Sequence, residues 1–75
     1  MKKQLVVDIF NKIADILEIK GENPFRVRAY RRAALNVENL SGDITEFVKN
    51  DKVAEIPGIG EDLAGKITEI VQTGD

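Results

Sequence analysis

The stretch IPGIGEDLAGKITEI, Ile56 to Ile70, sets a proline and two glycines around a single isoleucine and then runs on in a helical pattern. Glycine permits backbone conformations closed to other residues, and without a Cβ it lets another molecule come close. Ile59, between the glycines, is placed to turn inward and anchor the turn. Leu63, Ile67, Ile70 and Val71 recur at spacings of three and four, which predicts a helix from Glu61 to Thr73 with Gly74 at its end. The first N–H groups of a helix lack partners within it and lie at the positive end of its dipole. A turn of this kind is therefore suited to holding a phosphate.

Working outward, the spacing predicts a first helix from Lys3 to Lys20. Leu5, Ile9, Phe10, Ile13, Ile16 and Leu17 form its inward face. Lys20 followed by Gly21 is a C-terminal signal, a cation at the negative end and then a residue that accepts a left-handed backbone. The second helix lies within GENPFRVRAYRRAALNVENL. Asn23 is its cap and Pro24 its first residue, where a missing N–H is harmless. Phe25, Ala29, Ala33, Val37 and Leu40 are expected along the inner face, with Arg28, Arg31 and Arg32 largely opposite. Ser41-Gly42-Asp43 ends that helix, and Asp43 caps a short third one holding Ile44, Phe47 and Val48. Val53 to Ile56 then leads into the turn. No alternating run is long enough for a strand, so the expectation is one all-α domain over residues 1–75, a compact four-helix fold with short connections.

With 75 residues, the core can only be thin. Hydrophobic residues make up 43% of the chain, which argues for folding over disorder. Cysteine and histidine are both absent, which removes disulfides and the usual zinc ligands and leaves packing to hold the fold. No apolar run reaches the roughly 20 residues of a membrane helix. The opening MKKQLVVDIF has lysines before apolar residues, as a signal peptide does, but Asp8, Asn11 and Lys12 interrupt it. The expected location is cytoplasmic and nucleoid-associated, with no membrane partner.

The net charge of −2 argues, taken alone, against nucleic acid. Its distribution argues the other way. Between Asn23 and Val37 stand Arg26, Arg28, Arg31 and Arg32 with no acid among them, while acids gather from Glu38 to Asp62. Charge acts over about 8 Å at physiological salt, so the local field counts for more than the total. A run of charge is ordinarily a solvated face. Here arginine, whose planar fork suits phosphate, dominates over lysine, and Tyr30 sits among the charges, able to donate to phosphate or stack on a base. Arg28 and Arg32, one turn apart, repel by a few tenths of a kcal/mol until an anion relieves them.

Pro57, Gly58, Ile59, Gly60, Ala64 and Ile67 all fall where a helix-hairpin-helix motif wants them. NPFRVRAYRRAA followed at this distance by IPGIGEDLAGKI resembles the amino-terminal domain of family X DNA polymerases, most closely the bacterial and archaeal branch and more distantly DNA polymerase beta. The resemblance covers nearly the whole chain. It implies a domain that grips DNA at gaps or 5′ ends, independent of sequence, in repair synthesis and replication. It also implies a polymerase body beyond this chain, which needs Mg2+ for nucleotidyl transfer, and a further metal-dependent phosphoesterase domain of the PHP type. Because the chain stops at Thr73-Gly74-Asp75, an excised monomeric domain is expected, with DNA and the rest of the polymerase as its partners. The resemblance implies phosphate contacts at Gly58 and Gly60 and a 5′-phosphate pocket at Arg26 and Tyr30. It implies no tightly bound cofactor, but a monovalent cation, Na+ or K+, on the carbonyls of Ala54, Ile56 and Ile59.

Lys66 matches the lysine that attacks an abasic sugar in DNA polymerase beta, forms a Schiff base and releases 5′-deoxyribose phosphate. Its surroundings depart from that pattern. Gly65 replaces a glutamate, Asp62 a lysine and Phe25 a histidine. Asp62 favours the charged ammonium over the free amine that such an attack requires. Three readings stand at this point. One is a DNA-binding module in which Lys66 assists phosphate contact. The second is a lyase with Lys66 as nucleophile, and the third is a protein-interaction domain using the arginine face.

Overall fold

Side-chain caps and left-handed residues set the helix ends. The computed structural model describes residues 2–73 and contains α1 (Lys2–Ile19), α2 (Pro24–Glu38), α3 (Ile44–Lys49), a 3₁₀ turn (Val53–Glu55) and α4 (Glu61–Thr73). Asn23 Oδ1 accepts the Phe25 N–H at 2.8 Å, and Asp43 Oδ1 accepts the Thr45 N–H at 3.0 Å. Caps of this kind contribute about 1 kcal/mol each. At the far end of α1 the Glu22 N–H reaches the Leu17 carbonyl at 2.9 Å and the Gly21 N–H reaches Glu18 at 3.1 Å, with Gly21 at φ +70°. This is a Schellman closure. α3 closes the same way, Lys52 on Phe47 at 2.8 Å and Asp51 on Val48 at 3.1 Å, but with an aspartate in the left-handed position at φ +57°.

α1 and α2 form an antiparallel pair. Lys3 Nζ donates to the Leu40 carbonyl at 2.6 Å at one end, and Arg31 reaches Asp15 and Glu18 toward the other. Between the two helices the Phe10 and Tyr30 rings meet edge to face, with centroids 5.3 Å apart. Ile44, Val53, Ile56, Ile59, Leu63, Ile67 and Val71 close the core from the other elements. Lys2 Nζ donates to the Val71 carbonyl at 3.0 Å, fastening the start of α1 to the end of α4. The described residues form no strand, in keeping with the all-α expectation, and no helix among them is long and apolar enough to cross a membrane.

The inner faces differ from those expected. On α1, Val6, Val7, Phe10 and Ala14 are buried, Leu5, Ile9, Ile13 and Leu17 are only half-buried, and Ile16 is exposed. The apolar stripe is wider than the surface its neighbours cover. On α2, Val27, Tyr30, Ala33, Ala34 and Val37 point inward, whereas Ala29 is exposed and Phe25 is 72% exposed. Two overlapping stripes on that helix share the 3.6-residue period, and only the position of α1 selects between them. The bounds of α4 match the expected ones, with Leu63, Ile67 and Val71 buried and Ile70 half-buried. Gly74 lies outside the described residues.

Candidate nucleic-acid interface

Pro57 and Gly58 form the corner of the hairpin. The Ile59 N–H donates to the Ile56 carbonyl at 3.0 Å, closing a four-residue turn with proline second and Gly58 third at φ +81°. That is the type II pattern, which requires a left-handed third residue. Ile56 and Ile59 are both buried, so the core holds the turn at each end. Gly60 caps α4, its carbonyl accepting the Ala64 N–H at 2.8 Å. The N–H groups of Gly58, Gly60, Glu61 and Asp62 have no acceptor among the described residues, and all four residues are exposed.

The two glycines serve different ends, which corrects the expectation that both need a special backbone. Only Gly58 is left-handed, and a Cβ there would lie 2.6 Å from Asn36 Nδ2 and 3.4 Å from Arg32 Cγ and Cδ. A Cβ on Gly60 would meet nothing within 4 Å. Gly58 is required by the fold, whereas Gly60 keeps open the space in front of the amides.

The hairpin leans on α2. Asn36 Nδ2 donates to the Pro57 carbonyl at 2.7 Å, and an open cleft of about 300 Å³ between the two elements is lined by Phe25, Arg28, Ala29, Arg32 and Gly58. The Arg28 guanidinium lies over the Phe25 ring, 4.8 Å from its centroid. The arginines therefore separate. Arg28 and Arg32 face the cleft together with Gly58. Arg31 turns the other way, donating through Nη2 to Asp15 Oδ1 at 2.8 Å and Glu18 Oε1 at 3.0 Å. The hydrogen bonds to Asp15 and then Glu18 raise its pKa, and they commit the guanidinium to α1. Arg26 is exposed and makes no ion pair among the described residues.

Tyr30 corrects one part of its expectation, the stacking of a base on its ring. It is only 4% exposed with its ring against Phe10, so it has no free face for a base. The period of α2 could equally have set it on the polar side.

A family model described as helix-hairpin-helix domain matches residues 1–75. The chain belongs to the helix-hairpin-helix family. It is also 32% identical over 74 residues to the DNA polymerase/3'-5' exonuclease PolX of Bacillus subtilis (strain 168), a match covering 99% of this chain and 12% of that protein. The chain thus spans a small part of the length of that relative. No solved structure matched.

In this helix-hairpin-helix domain the first helical element of the hairpin is the short 3₁₀ turn Val53–Glu55, too brief to leave a period in the sequence. The Ala54 and Ile59 carbonyls accept no hydrogen bond among the described residues, and the Ile56 carbonyl accepts one, leaving each with capacity for a cation. No acidic cluster that could hold a metal ion occurs among those residues. Lys66 is half-buried on α4 and lines neither this cleft nor a second one, of about 340 Å³, beside the 3₁₀ turn. Gly65 lines that second cleft. Nothing lies within 4 Å of a Cβ placed there, so no neighbouring helix requires the glycine. Asn36 went unnoticed in the sequence, although it shares the face of Phe25, Ala29 and Arg32 at helical spacing.

Proposed function

We propose that this helix-hairpin-helix domain binds the phosphate backbone of DNA without reading sequence, as the amino-terminal module of a family X DNA polymerase. Its targets are gaps and 5′-phosphorylated ends in repair synthesis. The observation that carries the reading is a cleft in which Gly58, whose N–H is unpaired, stands with Arg28 and Arg32, next to the unpaired Gly60 N–H at the start of α4. Amides at a helix start and planar cations are complementary to phosphate in both charge and hydrogen bonding. Glu61 and Asp62, in the first turn of α4, suit the helix dipole but compete for the same field. The two arginines and Arg26 offset them.

Side chains in this arrangement hold a backbone in place and read no base edge, so recognition is of structure. A monovalent cation on the carbonyls of Ala54, Ile56 and Ile59 would cancel the repulsion between those oxygens and a phosphate. Lys66, half-buried on α4, adds a further cation for the bound DNA. The domain acts as a monomer on DNA, with the polymerase body as its covalent partner.

The test is fluorescence anisotropy on a gapped, 5′-phosphorylated duplex and on an intact one across a salt series. Contact with three to five phosphates gives a log-log slope of roughly −3 to −4.5. A slope near zero overturns the electrostatic account. Equal affinity for the two substrates overturns the preference for gaps.

A further inference from the structure

We infer that Asn36 is a positioning residue that locks the central peptide of the hairpin turn and so aims the Gly58 N–H at phosphate. The inference rests on the reading of the hairpin as a phosphate site. The Pro57 carbonyl only accepts, so the atom facing it at 2.7 Å must be the amide nitrogen of Asn36. That carbonyl and the Gly58 N–H belong to one planar trans peptide and point in opposite directions. Holding the carbonyl on the Asn36 amide therefore fixes the Gly58 N–H in the direction opposite to that bond.

The lock matters because glycine removes the usual barrier to error. Type I and type II turns differ by a flip of this central peptide, and a glycine in third position tolerates either one. Ile56 and Ile59 pin the ends of the turn in the core but leave the peptide between them free to rotate. Only the bond from Asn36 distinguishes the two states among the described residues. The same side chain lies 2.6 Å from where a Gly58 Cβ would stand, and Arg32, one turn before it on α2, packs its stem at 3.4 Å. Asn36 thus sets the spacing between amides and guanidiniums as well as the direction of the N–H.

The experiment compares the 75-residue chain with Asn36→Ala and with the isosteric Asn36→Asp, whose carboxylate cannot donate to a carbonyl. Affinity for gapped DNA is expected to fall about tenfold in Asn36→Ala, the loss of one charge-assisted hydrogen bond, and further in Asn36→Asp. The salt slope of Asn36→Ala stays that of wild type because no cation is removed, whereas Arg32→Ala lowers its magnitude by about 0.9. In the free protein the Gly58 amide resonance moves in both Asn36 variants. With Gly60→Ala already present, Asn36→Ala adds little further loss, because both act on the same contact. Wild-type affinity in Asn36→Ala, an unmoved Gly58 amide, or losses that simply add in the double variant would each overturn the inference. A wild-type chain that fails to bind DNA would instead overturn the phosphate reading beneath it.

Discussion

Replacing each hairpin glycine by alanine separates the fold from the function. At Gly58 two penalties combine. A left-handed backbone costs an L-residue about 1 kcal/mol. The new Cβ, 2.6 Å from Asn36 Nδ2, also displaces that side chain and breaks its hydrogen bond to Pro57. Such a bond contributes about 1 kcal/mol. The stiffer unfolded chain returns roughly 0.4–1 kcal/mol, so the net loss is about 1–2 kcal/mol. Against a total of about 4–11 kcal/mol for a chain of this length, that lowers the melting midpoint by about 5–15 °C. At Gly60 no neighbour lies within 4 Å of the Cβ and the backbone is not left-handed, so neither penalty applies. Alanine is a poorer cap than glycine by about 0.5 kcal/mol, which the entropic gain offsets, and the midpoint stays within about 3 °C. The methyl group nevertheless occupies the approach to the amides, and affinity for gapped DNA falls more than about tenfold, as for a lost hydrogen bond to a charged group. Circular-dichroism melts and anisotropy titrations read the two effects. Wild-type affinity in Gly60→Ala would refute the phosphate site, and a wild-type midpoint in Gly58→Ala would refute the packing of the hairpin on Asn36.

Gly65→Ala, in the exposed interior of α4 with no neighbour to meet, raises stability by about 0.5–1 kcal/mol in a thermal melt. Asp51→Gly relieves a left-handed aspartate at φ +57° and raises the midpoint by a few degrees, worth about 0.5–1 kcal/mol. Arg31→Ala leaves the salt slope of DNA binding unchanged because this guanidinium is engaged with Asp15 and Glu18, whereas Arg32→Ala reduces the slope by about 0.9. Borohydride trapping on DNA bearing a 5′-deoxyribose phosphate yields no Lys66-dependent adduct, since Asp62, where the lyase pattern has a lysine, precedes Lys66 by one turn. An adduct lost in Lys66→Ala would establish the lyase instead.

Local chemistry was legible in the sequence. Asn23 and Asp43 announce their caps and Gly21 its stop. Pro57 to Gly60 marks a turn, and the limits of α4 follow from its period, because each of these depends on a few adjacent residues satisfying backbone groups of their own. What depends on a neighbour from elsewhere in the chain was not legible. The period of α2 allowed Phe25 or Tyr30 inside, and only the line along which α1 packs chose Tyr30. Four arginines on one helix looked like one surface, until two carboxylates on α1 drew Arg31 away from Arg28 and Arg32. The two hairpin glycines looked equivalent, until Asn36, across a turn and a helix, took up the space beside one and left the other open. Backbone hydrogen bonding is decided within a few residues and can be read along the chain. Which face is buried and which charge is free follow from contacts between distant segments, and those exist only once the chain has folded.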